Sequence, residues 1–443
     1  MQYLQAILIV IVSLSCMALV SDGANTMSEI SEAEVRAEIT NWIDDNWDPD
    51  QTVGKWWQML ADARFAHTML PVEAGGRGWN RTLSHVVLSV IAEKNVLGPP
   101  TGLGMMLAAP TIAAHGTEEQ IEEFVPKILN GEHAWCQLFS EPGAGSDLAG
   151  LQCKAERDGD EWIINGQKVW TSGGQIADMG MLIARTDPDL PKHQGISYFA
   201  FNMKQKNVEV RPLTEMTGRA LFNEVFITDG RVANDSIIGG KSNGWRVANA
   251  TLMFERSHLG SGVIPVPTAV AGSIAGQLDR RVGDLVSASR RSGGGGSVAI
   301  GSRLFDQLLE LSKKLGKDKN PVIRDEMMKL HSLVEVNRLN MVRAKTSADK
   351  TGAEGNIGKL MMSELYRQFR EVGNMVIGPD GMLAGQEVAH GDWVHEVTVF
   401  SPAPSIYGGT DQVQRNIIGE RILGLPKEPG HPKETPFVEL PKN

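Results

Sequence analysis

The chain has 443 residues and a formal net charge of −10, and 42% of its residues are hydrophobic and 22% charged, as in ordinary globular proteins. This length allows two or three domains and a large core. The sequence shows no basic stripe, so nucleic-acid binding is not expected. Its cysteines, Cys16, Cys136 and Cys153, form neither a disulfide framework nor a zinc-binding spacing, which is consistent with a reducing compartment.

The N-terminal region allows two interpretations. Residues 6–20 form a near-continuous apolar run with the length of a signal-peptide core, but no Lys or Arg precedes it. Met27 offers a second start, because Ser31 and Glu34 form a capping box ahead of apolar residues at helical spacing. We expect residues 1–26 to be an apolar leader or upstream extension and the protein to act in the cytoplasm, with export or membrane association as the alternative.

The rest of the chain separates into helical and β-like regions. Residues 27–133 and 243–425 carry apolar residues at helical spacing, whereas residues 134–242 contain short β-like runs separated by glycine-containing turns. Residues 426–443 form a proline- and lysine-containing tail that is expected to pack loosely. Because helices and strands are segregated along the chain, we predict a mainly α protein with a central β domain.

A polar turn followed by an aromatic segment is the most informative feature of the sequence. Residues 139–150 read Phe-Ser-Glu-Pro-Gly-Ala-Gly-Ser-Asp-Leu-Ala-Gly, and residues 170–172 read Trp-Thr-Ser. Such a turn leaves backbone N–H groups free to donate to a ligand, and the tryptophan offers a face for stacking. The pair therefore predicts a site for a flat, electron-poor ring. Taken singly, each segment also fits a surface loop or a core tryptophan.

Two other patterns suggest chemistry but are interpreted otherwise. Residues 239–242 resemble the end of a phosphate-binding loop, but the first glycine of that motif would fall at Asp235. The segment is therefore a predicted turn. His390, Asp392, His395 and Glu396 lack a convincing metal-ligand spacing. They are interpreted as solvated loop residues, and no metal site is predicted.

Four ordered motifs resemble the acyl-CoA dehydrogenase family. Residues 139–150 are similar to its flavin-binding signature and residues 168–172 to the partner strand, while residues 116–132 and 406–415 resemble its segments before the signature and near the C-terminus. The resemblance covers roughly residues 30–425. It implies an N-terminal helical domain, a β-barrel and a C-terminal helical bundle, with FAD as the cofactor and an acyl-CoA as the substrate.

The resemblance also implies roles for individual residues. Cofactor-binding roles fall on Phe139, Ser140, Gly145, Ser146, Trp170, Ser172, Gly378, Gly381, Thr410 and Gln412, and substrate-binding roles on Ser146, Arg256 and Gly408. Gly378 and Gly381 match a loop that in the family reaches the cofactor of a neighbouring subunit, so at least a dimer is expected. An Arg-x-x-Phe-Gly motif common in the family is replaced by Ser-Lys-Lys-Leu-Gly at residues 312–316, which lacks the arginine.

The expected catalytic base does not lie at the sequence position that is commonest in the family. Many family members carry a glutamate after the tyrosine of the C-terminal motif, whereas this chain has Gly408 there. A second family position, just before an arginine, is occupied by Glu255. It shares a predicted helical stripe with apolar residues, so desolvation is expected to raise its pKa. A buried structural glutamate is the alternative. The stripe comprises Ala248, Leu252, Glu255 and Leu259.

These features together imply FAD-dependent α,β-dehydrogenation of an acyl-CoA to the trans-2-enoyl-CoA, with electrons passed to an electron-transfer flavoprotein. A homodimer or homotetramer is expected, and a heterotetramer is possible. Two alternatives stay open: an acyl-CoA oxidase, and a non-catalytic subunit that binds acyl-CoA or scaffolds an active partner. Gly408 favours the non-catalytic subunit, and Glu255 disfavours it.

Overall fold

A computed structural model describes most of the chain. The described residues are 30–259, 266–272, 276–291, 300–346, 353–383, 385 and 392–441, without the side chains of residues 256–259, 289–291 and 345–346. The predicted leader, residues 1–26, lies outside them. Among the described residues, no helix is both long and apolar enough to cross a membrane.

The N-terminal helices begin at strong capping residues. Ser31 and Glu34 form the predicted capping box of the first helix, and Thr117 and Gln120 form a second box. The side chains of Thr52 and Asn80 cap two further helices. The helices are α1 (Glu32–Asn46), α2 (Val53–Asp62), α3 (Arg81–Lys94), α4 (Ala109–His115) and α5 (Glu118–Leu129).

The predicted β region forms one sheet of seven strands within the described residues. Its order is β1-β4-β2-β3-β7-β6, and β5 also pairs with β4. Most pairs are antiparallel, but β4 runs parallel to β1 and β2. The strands are β1 (Trp135–Leu138), β2 (Lys154–Asp158), β3 (Glu161–Lys168), β4 (Met179–Arg185), β5 (Ile196–Asn202), β6 (Val208–Leu213) and β7 (Phe222–Ala233).

The chain after the sheet is again helical. The long helices of this part bury one apolar side and expose the other, as amphipathic helices of a bundle do. They are α6 (Gly244–Leu259), α7 (Val282–Arg291), α8 (Ser302–Lys314), α9 (Pro321–Thr346), α10 (Glu354–Ile377), α11 (Trp393–Phe400) and α12 (Asp411–Ile417). The structure therefore confirms a mainly α protein with a central β domain.

The described apolar side chains form three clusters. The N-terminal core joins α1 to α5 with one side of the sheet and includes Val247 and Ala248 of α6 and Val282 of α7. The sheet core contains residues such as Phe199 and Phe201. The bundle core is built from α8, α9, α10 and α11. Helices α6 and α7 thus follow the sheet in sequence but share their core with the first helices.

Described residues after α6 form backbone hydrogen bonds to the N-terminal part of the chain. The amide of Gly98 donates to Pro267 O at 2.7 Å, and the amide of Val53 donates to Arg280 O at 2.9 Å. Farther along, the amide of Val282 donates to Gln51 O at 3.0 Å. These bonds join Pro267, Arg280 and Val282 to the edge of the first domain.

Two expectations from the sequence differ from the structure. The tail does not pack loosely throughout, because Phe437 is buried against the loop before β5. His395 and Glu396 lie on helix α11 instead of in a solvated loop, and Glu396 forms an ion pair with Arg219 at 2.5 Å. His390 lies outside the described residues. In the described part of the chain, no three His, Cys, Asp or Glu side chains converge as metal ligands.

Candidate active site

The turn after β1 is fastened to the end of β3 by a buried ion pair. Lys168 Nζ lies 2.8 Å from Glu141 Oε1, and both side chains are almost completely buried. The ammonium also donates to Phe139 O at 3.1 Å. The Glu141 carboxylate accepts the amides of Gln152 and Cys153, at 2.6 and 2.9 Å. Charge and hydrogen bonds thus fix both ends of residues 139–153.

The aromatic segment lies directly beside this turn. The amide of Val169 donates to Ser140 O at 2.9 Å, which brings Ser140 next to Trp170. Trp170 has a positive φ of 60°, which is uncommon for a bulky residue. Its side chain is 57% exposed although one edge contacts Phe222 at a centroid distance of 5.8 Å. A large indole face therefore remains open beside the turn.

The two residues after Trp170 are placed differently. The main chain of Thr171 exchanges two 3.0 Å hydrogen bonds with Asn223 of β7. Its hydroxyl is buried and makes no hydrogen bond to any described residue. Ser172 is half-buried.

The turn after β1 borders open space. An added methyl group at Gly145 would meet nothing within 4 Å, so the turn is open at this residue. An exposed indole beside open space fits a planar ligand.

Helix α6 carries Glu255 and is packed tightly on β5. It begins at Gly244, where a Cβ atom would lie only 2.4 Å from the carbonyl carbon of Ser197, so only glycine permits this approach. Ala248 and Thr251 face the interior and are fully buried. Glu255, one turn further on, is half-buried. The helix is therefore confirmed, but its fully buried side contains Ala248 and Thr251, whereas Leu252 and Glu255 of the predicted stripe are only half-buried. The side chain of the neighbouring Arg256 lies outside the described residues.

A buried contact chain links the turn to α6. The ring of Phe139 packs edge-on against Tyr198, with centroids 5.9 Å apart. The hydroxyl of Tyr198 lies 3.3 Å from that of Thr251, which in turn lies 3.0 Å from the hydroxyl of Thr111. Burial raises the pKa of Tyr198 well above its ordinary value, so the phenol stays neutral. Phe139 and the helix that carries Glu255 thus both contact the buried side chain of Tyr198.

The C-terminal motif forms a glycine turn in the bundle. Gly408 and Gly409 have φ values of 62° and 78°, a conformation that L side chains rarely adopt. The turn is held from α12, because Gln414 Nε2 donates to Gly408 O at 2.7 Å. Thr410 caps α12 by accepting the amide of Val413 at 3.1 Å, so its hydroxyl already has a partner.

A buried polar network fixes this turn to α10. Asp411 accepts from Lys359 at 3.1 Å and from Arg367 at 3.0 Å. Asn356 donates to Gln414 at 2.5 Å, deep in the same cluster. Burial alone would raise the pKa of Asp411, but hydrogen bonds from Ser363, Arg367 and Lys359 outweigh it and lower the pKa. Burial lowers the pKa of Lys359.

The remaining predicted residues lie at the surface or at helix ends. Ser146 and Gln412 are exposed. Gly378 ends α10 with a φ of 60° and Gly381 follows in a short 3-10 turn, so both lie in the bundle. Ser312 is buried near the end of α8. Among the predicted residues, the structure brings Phe139, Ser140 and Trp170 together directly and ties them to α6 through Tyr198.

Several residues that hold the site were not predicted. Lys168 and Glu141 lie within the recognised motifs, but a lysine at the end of a strand gives no sign that it is buried. The partners of Asp411 are 44 and 52 residues away in the chain, and no local pattern indicates such pairings. One sequence signal could have indicated the Lys168–Glu141 ion pair. The two residues carry opposite charges and lie in two motifs that were already expected to be neighbours.

The chain matches sequence models of one family along most of its length. The acyl-CoA dehydrogenase N-terminal domain matches residues 23–132, the middle domain residues 136–229, and the C-terminal domain residues 280–423. Acyl-CoA dehydrogenase IpdE1 of Mycobacterium tuberculosis is 32% identical over 413 residues, covering 89% of this chain and 98% of that protein. Long-chain specific acyl-CoA dehydrogenase of Mus musculus mitochondria is 34% identical, covering 79% and 74%.

Solved structures show the same fold. The structure described as the Tcur3481-Tcur3483 steroid ACAD superposes with a TM-score of 0.65 at 23% identity, covering 90% of this chain and 98% of that chain. The ChsE4-ChsE5 complex from Mycobacterium tuberculosis gives 0.61 at 25% identity, covering 91% and 100%. The fold is thus that of the flavin-dependent acyl-CoA dehydrogenases. From the domain matches and the identities to its relatives, the chain belongs to the acyl-CoA dehydrogenase family, whose members are oxidoreductases acting on CH–CH groups.

Proposed function

We propose that this chain binds FAD and dehydrogenates an acyl-CoA thioester between Cα and Cβ, giving the trans-2-enoyl-CoA. The observation that carries the proposal is the exposed indole of Trp170 beside the turn that Lys168 and Glu141 fasten. When bound there, FAD supplies the acceptor for the hydride that leaves Cβ. The exposed indole would pack on the ring, and the backbone around Phe139, Ser140 and Gly145 and the hydroxyl of Ser172 would hold its edge.

Glu255 is the proposed base that removes the α-proton. Its helix is held against β5 at Gly244 and against Tyr198 at Thr251. The backbone that carries the carboxylate is therefore held in place. Proton abstraction needs the carboxylate and the substrate aligned, and a rigid helix supplies that alignment. The amide of Gly408 is proposed to donate to the thioester carbonyl, a role that requires backbone only. Ser146 and Arg256 are proposed to contact the CoA portion.

The electrons are proposed to pass to an electron-transfer flavoprotein, and the active form is proposed to be at least a dimer. Gly378 and Gly381 support the dimer, since they match the loop that reaches a neighbouring cofactor in the family. We place this activity in the cytoplasm, because its electron acceptor is expected inside the cell. The absence of a carboxylate at Gly408 favours one second candidate, a non-catalytic subunit of a hetero-oligomer.

Spectroscopy of the purified protein tests the proposal. We expect a bound yellow flavin that bleaches without oxygen when acyl-CoA esters are added, including branched and ring-bearing esters that suit the small Gly408. Replacing Trp170 by Ala is expected to weaken flavin retention about tenfold, and Trp170→Phe to restore most of it. A protein that never binds FAD would refute the assignment. Flavin that resists every ester would favour the non-catalytic subunit, and rapid reoxidation by oxygen would favour an oxidase.

A further inference from the structure

A short segment near the end of the chain is docked on the sheet. We define residues 435–440 as the clasp segment. The amide of Phe437 donates to Leu190 O and the amide of Val438 to Pro188 O, each at 3.0 Å. Pro436 also forms an isolated antiparallel bridge with Pro191. The clasp segment therefore adds backbone pairing to the loop that joins β4 to β5, and it lies beyond residue 423, where the C-terminal domain match ends.

The ring of Phe437 completes the environment of Arg185. The Arg185 guanidinium lies 3.6 Å from the ring centroid and is itself almost completely buried at the end of β4. It donates to Lys192 O at 2.5 Å and to Ala149 O at 2.6 Å. Burial lowers the pKa of Arg185 to about 10, which leaves it charged at neutral pH. A desolvated cation on an aromatic face is a strong contact of this class.

The loop that Arg185 holds touches both halves of the candidate active site. Lys192 Nζ pairs with Asp147 Oδ2 at 2.5 Å, directly after Ser146 in the cofactor turn. His193 packs on Trp245 in the first turn of α6, with ring centroids 4.8 Å apart. Residues 186–195 therefore bridge the cofactor turn and the helix of Glu255.

We infer that the clasp segment positions the loop 186–195 for acyl-CoA capture, with Phe437 and Arg185 as positioning residues. The inference rests on the proposed function for its substrate and on observed contacts for its geometry. Phe437 fixes the guanidinium, and the guanidinium fixes the carbonyl of Lys192. The loop thereby holds Lys192 and His193 beside the cofactor turn. Loss of the ring frees the loop while leaving Trp170 and Glu255 in place.

The test compares two neighbouring substitutions in the FAD-loaded protein. Phe437→Ala removes the buried ring, while Val438→Ala is the matched control, because the Val438 side chain is 54% exposed. For Phe437→Ala we expect amide hydrogen exchange in residues 186–195 to accelerate about tenfold and KM for acyl-CoA to rise about tenfold, with kcat within about twofold of wild type. Phe437→Tyr should restore both values, and Val438→Ala should change neither.

Two outcomes would overturn the inference. One is unchanged exchange of residues 186–195 in Phe437→Ala, and the other is a fall in kcat with KM unaltered. If no acyl-CoA bleaches the wild-type flavin, the proposed function fails, and the exchange difference between the two variants still decides whether the clasp segment holds the loop. Circular dichroism of each variant verifies the fold before exchange is measured.

Discussion

Glu255 is the residue on which the chemistry depends most directly. Glu255→Gln preserves shape and removes basicity, so FAD and acyl-CoA should bind nearly normally while flavin reduction slows about 10²–10⁴-fold. Stopped-flow bleaching without oxygen measures this rate. The matched control is Glu209→Gln, since Glu209 is exposed and pairs only locally with Arg211. Bleaching at the wild-type rate in Glu255→Gln would remove this residue from the mechanism.

Moving the carboxylate to the commoner family position should carry a structural cost. Gly408 has a φ of 62°, and a side chain in this left-handed region costs about 1–2 kcal/mol. The double change Glu255→Gly with Gly408→Glu is therefore expected to recover only part of the activity and to unfold at lower urea than wild type. The sequence showed that the carboxylate is absent at residue 408, but not that the backbone there disfavours one.

Lys168 illustrates what a sequence does not reveal at the residue scale. Its position in a flavin-site motif was recognised, but its role depends on contacts across the chain. Lys168→Met would leave the Glu141 carboxylate buried without its counter-ion, which typically costs about 3–5 kcal/mol. We expect a lower urea midpoint and weaker FAD retention. Adding Glu141→Gln removes the stranded charge and should recover part of the stability; no recovery would argue against the ion pair as the cause.

At the scale of elements, the helices and strands with clear local sequence signals were the ones that could be predicted. Helix α1 was predicted from its capping box and helix α3 from the spacing of its apolar residues. The apolar runs of β3 and β7 were also recognised, but the expected turns at Asn165-Gly166 and Asp229-Gly230 are wrong, because both pairs lie inside these strands. The clasp segment was not, because its proline-rich composition is typical of a loose tail. Its order comes from Arg185 and from backbone groups of the loop 186–195, which are far away in sequence.

The element that presents the glycine turn should respond to acid. The folded-state pKa of Asp411 lies below its ordinary value of 3.8, so its contribution to stability is present above that value and lost as pH falls through the lowered folded-state pKa. Asp411→Asn should cost about 1.5–3 kcal/mol at neutral pH. Urea unfolding followed from neutral pH into the acid range should show the two proteins converge. A difference that persists unchanged in acid would contradict this account.

At the scale of the molecule, exposed apolar side chains on α9 bear on assembly. Val336, Leu339 and Val342 are 46–55% exposed and three residues apart, so they lie on one side of the helix. If this side packs in the proposed oligomer, Leu339→Lys should reduce the sedimenting mass. Val322→Lys is the control, since it lies about 25 Å away along the same helix. A wild-type protein that sediments as an FAD-saturated monomer would contradict the oligomer.

The backbone bonds from Pro267, Arg280 and Val282 to the first domain have a consequence for synthesis. The backbone bond of Val53 forms only after Arg280 has been synthesised, and that of Gln51 only after Val282 has been synthesised. Ribosomes add about 5–20 residues each second, so these partners emerge on the order of 10–50 s apart. During that interval the N-terminal core lacks Val266, Ala269 and Leu278, which pack against it in the finished protein. We therefore expect the nascent chain to present an apolar surface to chaperones until Val282 has left the ribosome.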